Sequence, residues 1–173
     1  MKKDNWILKA FLMTFFIAII FSSASNLLIS KFNNTILLIV VCVIFIGIGI
    51  LFDIVGTAVL TANEASFHAK SAKKIKGSKE GVYLIKNSST IASICNDVIG
   101  DICGIVSGSL GAMLAINISI KFNLSTVIIT LLVSSIISSL TVGGKAIGKK
   151  QAIKNSDAII FIAAKILSKF KTK

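Results

Sequence analysis

Asp53, Asp97 and Asp101 are three of only seven acids in the chain, and each stands inside a long apolar stretch, with Asn96 beside the second of them. An ionisable group in hydrocarbon costs several kcal/mol unless it faces protein or water, so these groups are expected to turn toward a protected interior. At about 1.5 Å of rise per residue, Asp53 is expected roughly 13 Å from the inner end of its helix. Asp97 and Asp101 are expected roughly 10–15 Å from the inner end of theirs. Two helices of opposite direction then carry carboxylates to one depth. Carboxylate and amide oxygens are hard ligands that suit Mg²⁺ or a similar divalent cation. The chemistry expected of Asp53, Asn96, Asp97 and Asp101 is therefore a metal site on a cation pathway. The plainer alternative is that one or more of the aspartates is protonated, or only hydrogen-bonded between helices.

The elements that must position these residues follow from apolar run length. A spanning helix needs about 20 apolar residues to cross roughly 30 Å of hydrocarbon. Four stretches meet that: about Ala10–Ile29, Ile36–Leu60, Ile91–Ile116 and Leu124–Val142. The first also resembles a signal peptide, because Lys2 and Lys3 precede the run and Ser22-Ser23-Ala24 is small enough for cleavage. Small residues mark expected packing faces. Gly100, Gly104 and Gly108 recur every fourth residue, extended by Asn96 and Ala112, and Gly49, Asp53 and Thr57 share a face with Gly56 beside them. Such stripes let helix backbones approach closely, so the second and third spans are expected to pack together and turn their polar groups inward.

Charge sets the topology. The chain has 173 residues, is 54% hydrophobic with a mean hydropathy of +0.89, and carries a net charge of +12. Every basic residue is Lys. Nucleic-acid binders add Arg and stacking aromatics on a polar face, whereas these lysines flank apolar runs, so no nucleic acid is expected as a partner. Lysines crowd the start, the Glu64–Asn87 segment and the end of the chain, while only Lys31 and Lys121 occupy the alternate loops. The positive-inside rule then puts both termini and the central segment in the cytoplasm of a multi-pass cell-membrane protein. Glu64–Ile75 and Lys79–Lys86 read as a short helix pair broken at Lys76-Gly77-Ser78. Residues 156–170 read as an amphipathic helix lying in the inner interface. The fold class is all-α: a polytopic helical bundle of four spanning helices with a cytoplasmic helix pair and a C-terminal juxtamembrane helix. Cys42, Cys95 and Cys103 lie in apolar runs and are expected to pack as small hydrophobes. His68 reads as a solvated surface residue. Neither a phosphate loop nor a nucleophile–base arrangement is present, so no enzyme and no cofactor are expected.

The order of these parts resembles the transmembrane domain of the CorB/CorC and cyclin-M magnesium transporter family. Gly144, Lys149, Ala152 and Asn155 fall on a pattern similar to that family's Gly-Glu-x-x-Pro-Lys-x-x-Ala-x-x-Asn. Val55-Gly56-Thr57-Ala58 resembles its Ser-Glu-Thr-Ala, and Asn96 resembles a family asparagine implicated in ion coordination. Residues 1–34 would be an additional N-terminal helix and 35–173 the CorB-like domain. The resemblance implies Mg²⁺ or Co²⁺ transport or sensing in a homodimer embedded in the lipid bilayer. The departures are specific: Gly56 and Lys145 stand where the family has Glu, and Gly148 stands where it has Pro. The paired nucleotide-binding domains of longer members are not in the chain. The alternative is a non-transporting structural or regulatory subunit, because a fixed ammonium at Lys145 would repel a divalent cation.

Overall fold

With no proline in the chain, no helix is forced to break, and a break must come from glycine, asparagine or a cap. The computed structural model describes residues 2–31 and 35–171. These form seven helices and no strand: α1 (Lys2–Lys31), α2 (Thr35–Thr61), α3 (Glu64–Ala72), α4 (Ser78–Lys86), α5 (Ser88–Phe122), α6 (Thr126–Lys154) and α7 (Ser156–Lys171). Three of them, α2, α5 and α6, are long and apolar enough to cross a membrane. In α1 the apolar part is Leu8–Ala24, shorter than the stretch expected there. The short loop about Asn33, expected on the outer side, lies outside the described residues, as does the last part of the lysine-rich tail, residues 172–173.

Local chemistry explains the ends. Asn63 caps α3, its side chain accepting from the Ala65 N–H at 3.0 Å, while its own N–H donates to Asp157 Oδ1 at 2.8 Å. Asn123 closes α5 in the left-handed region (φ 51°), which asparagine tolerates better than most residues. Gly77, at φ 91°, opens α4, and α3 stops at Ala72 rather than at the expected Ile75. Within α5 the stretch Ile94–Gly100 is π-helical, a wider turn that changes which way each side chain points.

The chain forms two compact units. The first comprises residues up to Ile50 and Val98–Gly144. Its core is Leu38, Cys42, Phe45 and Ile46 of α2 against Val98, Ile102, Cys103, Val106 and Leu110 of α5. Met13, Ile17, Ala18 and Phe21 of α1 pack on that core, with the Phe21 and Phe45 rings edge to face at 5.8 Å. The close approach is at Gly49, where a Cβ would lie 3.1 Å from that of Cys103. Here the expected glycine stripe is corrected. A Cβ on Gly104 or Gly108 meets nothing within 4 Å, because α5 packs through Ile102, Cys103 and Val106 instead. Gly49→Leu is therefore expected to lose about 1–3 kcal/mol by overpacking. Gly104→Leu should leave the melting temperature in detergent unchanged. A comparable loss in both proteins would contradict this packing.

The second unit comprises Leu51–Asp97 and Lys145 onward, the ends of the three long helices together with α3, α4 and α7. Its core is Ala58, Val59, Phe67, Ala92, Ala152 and Ile160. Phe67 is fully buried under α4, where Gly81 leaves space for its ring, and the Lys70 ammonium lies 4.8 Å from the centre of that ring. On α7, Ile160 and Ala164 face the core, while Ile162, Ile166 and Phe170 are exposed among Lys165 and Lys169.

Candidate functional site

Asp53 is the anchor of the site. It lies in α2, only 2% exposed, and a buried carboxylate needs a compensating charge or hydrogen bonds. α6 supplies the charge. Lys145 and Lys149 are one turn apart, so their stems share a helix face. Lys145 Nζ lies 4.0 Å from Asp53 Oδ1, and Lys149 Nζ lies 3.5 Å from Oδ2. The Lys145 side chain is 20% exposed and that of Lys149 is 51% exposed, so the cluster is buried at the carboxylate and open at the second ammonium. Lys145, standing near the end of its span, has the option of extending its ammonium to water, yet here it is directed to Asp53.

One turn along α2 from Asp53 is Gly56. The side chain of Asn96, from the π-helical turn of α5, lies directly against it, and a Cβ at Gly56 would overlap the carboxamide. Gly56 is thus the position that admits Asn96. Asp53 Oδ2 and Asn96 Oδ1 are both buried, and among the described residues neither accepts a hydrogen bond.

Of the four residues expected to hold a cation, the structure brings Asp53 and Asn96 to this spot. Asp97, the next residue of the π turn, is exposed. Asp101, in the other compact unit, is exposed as well. Among the described residues no three of His, Cys, Asp and Glu converge as a metal-holding group. His68 is exposed and bonds Glu64 one turn before it, Nε2 to Oε1, at 3.1 Å. Lys149, which falls on the family-like pattern, takes part in the cluster although it was not among the residues expected to hold a cation. The signal for it was present, because Lys145 and Lys149 bracket the buried Gly148 with the spacing of one helical turn.

Chemically the cluster sums to one positive charge, two ammoniums against one carboxylate, and it holds the ends of α2 and α6 together. It can pair charge across two helices, and one turn along α2 lies the buried Asn96 Oδ1 against Gly56. No family model, curated protein or solved structure shows significant similarity to this chain.

Proposed function

We propose that this chain is a non-transporting membrane subunit, structural or regulatory, built on a CorB-like arrangement of helices. The observation that carries this reading is the pairing of Asp53 with Lys145 and Lys149. A divalent cation entering there would meet the largely buried Lys145 ammonium, with the more exposed Lys149 ammonium beside it, and like charges at such range repel. The two positions at which the chain departs from the acidic family pattern, Gly56 and Lys145, both belong to this cluster, one admitting Asn96 and the other neutralising Asp53. The tethered ammonium thus takes the role a bound cation would have. α1 serves as a fourth spanning helix, and both termini are cytoplasmic. The partner is a second copy of the chain, meeting the surface of α5 at the exposed Asp97. An acid at that depth is costly unless protein or water covers it.

A second reading, transport or sensing of Mg²⁺ or Co²⁺, is favoured by the two buried oxygens of Asp53 and Asn96 that accept no hydrogen bond among the described residues. Thermal stability against Mg²⁺ concentration, measured on the wild type, Asp97→Asn and Lys145→Glu, separates the two. The expected result is no Mg²⁺ response in the wild type or in Asp97→Asn. In Lys145→Glu a response should appear, reaching about 2.7 kcal/mol at a hundred times its dissociation constant. Mg²⁺ flux through the wild type in proteoliposomes, with Co²⁺ and Na⁺ as comparators, would overturn the subunit reading in favour of the transporter.

A further inference from the structure

The turn between α3 and α4 is built more tightly than a solvent-exposed lysine loop requires. Lys74 is held in the left-handed region at φ 55°, and Gly77 follows at φ 91°. A Cβ at Gly77 would sit 3.1 Å from the backbone of Lys165, so the turn rests directly on α7. Ser78 is buried, and its hydroxyl donates to the carbonyl of Ile75. The turn thereby holds a fixed shape against α7 although Lys73, Lys74 and Lys76 are exposed.

This turn walls a cavity of about 500 Å³, within the usual size of small-molecule sites. Lys74, Lys76 and Lys79 line it together with Ser71 and Ser168, and Glu80 is the acid among its lining residues. Lys79 and Glu80 also border a second cavity of about 470 Å³, whose other walls are Tyr83, Leu167 and Phe170. Phe170 is 80% exposed, and Ile75 beside the first cavity is 40% exposed. A basic recess that shares a wall with an aromatic and aliphatic one fits an amphiphile carrying negative charge at its polar end. The place suits such a ligand, because α3 begins three residues after the span α2 ends, and α7 begins two residues after the span α6 ends. A cluster of lysines beside the membrane surface attracts anionic lipid.

We propose that these adjoining cavities bind one anionic phospholipid. Its phosphate headgroup lies among Lys74, Lys76 and Lys79, and its glycerol and first acyl carbons lie along Tyr83, Leu167 and Phe170. Lys70 has a different task, its ammonium lying between the rings of Phe67 and Phe161 at 4.8 and 5.2 Å from their centres. The proposal goes beyond the subunit reading and does not depend on it, since a transporter with the same helices would hold the same lipid.

Tyr83 is the single tyrosine of the chain, so fluorotyrosine incorporated into the full-length protein reports on that cavity alone. The labelled protein in detergent is titrated with dioctanoyl phosphatidylglycerol, dioctanoyl phosphatidylcholine and glycerol phosphate, and the fluorine resonance is followed. A saturable shift with phosphatidylglycerol, with much weaker responses to the other two, is expected. Lys74→Gln with Lys76→Gln should weaken phosphatidylglycerol binding by about fivefold for each lysine. Lys79→Gln repeats the test without altering the left-handed turn, again at about fivefold. Lys150→Gln with Lys154→Gln removes the same charge from exposed positions of α6 and should leave binding unchanged. Equal response to phosphatidylcholine would overturn the proposal, and equal affinity for glycerol phosphate would make this a free-phosphate site instead. Equal weakening by the two lysine pairs would reduce the effect to diffuse surface charge.

Discussion

Replacing Lys145 and Lys149 together with alanine is expected to lower unfolding stability by about 3–5 kcal/mol, the usual cost of leaving a buried charge without its partner. The reason is the environment of Asp53, which is 2% exposed and whose Oδ2 accepts no hydrogen bond among the described residues. Either lysine alone should matter less, because the other ammonium remains within 4.0 Å of the carboxylate. Lys149 is half exposed, so its share is further reduced by solvent screening. The same double substitution in an Asp53→Asn background should cost little, since the charge that needed compensation is gone. That difference between backgrounds is the quantity to measure, by unfolding in a fixed detergent, because loss of the lysine stems affects both backgrounds equally. Equal destabilisation with and without the Asp53 carboxylate would mean that the lysines act through packing, and the subunit reading would lose its main support.

The second large effect is expected at Phe67. Truncation to alanine should cost about 3–5 kcal/mol, the range for emptying a fully buried aromatic site. Its ring fills the middle of the second unit beside Ala58, Val59, Ala152 and Ile160, and Gly81 is shaped to receive it. Lys70 loses an aromatic face at the same time. The consequence should be local before it is global: α3 and α4 loosen, and α7 loses the surface it rests on. Trypsin acting on the exposed lysines Lys73, Lys74 and Lys76 reports this directly, with cleavage expected to accelerate in Phe67→Ala and only slightly in Phe67→Leu. If the alanine variant resists trypsin as the wild type does, the second unit is held by something other than this core.

What was legible in the sequence was whatever depends on order along the chain. Apolar run length and the absence of proline announce α2, α5 and α6, since a long apolar segment without a breaker has no better way to satisfy its backbone in hydrocarbon than a helix. The spacing of Ser156 to Phe170 shows a helix with one apolar side, because such a signal acts over one or two turns. The special status of Asp53 was also legible, since an acid in the middle of an apolar run has to be explained by its neighbours. Position along a helix is a coordinate that counting residues supplies.

Direction around the helix is a different coordinate, and only the tertiary structure decided it. Asp97 and Asp101 look like inward neighbours of Asp53 if α5 is regular throughout, yet the π-helical turn at Ile94–Gly100 changes the rotation per residue there, placing Asn96 on Gly56 and Asp97 at the surface. Gly104 and Gly108 form a small-residue stripe on any helical wheel, but Ile102, Cys103 and Val106 bury more apolar area, and they took the packing face. Lys145 has a flexible stem, and its sequence position alone suggests an ammonium reaching for water. Its approach to Asp53 depends on which helix stands beside α6 and at what height. A side chain's partner belongs to another stretch of chain, and local periodicity carries no information about that choice; the burial of Asp53, and the need to compensate its charge, made it.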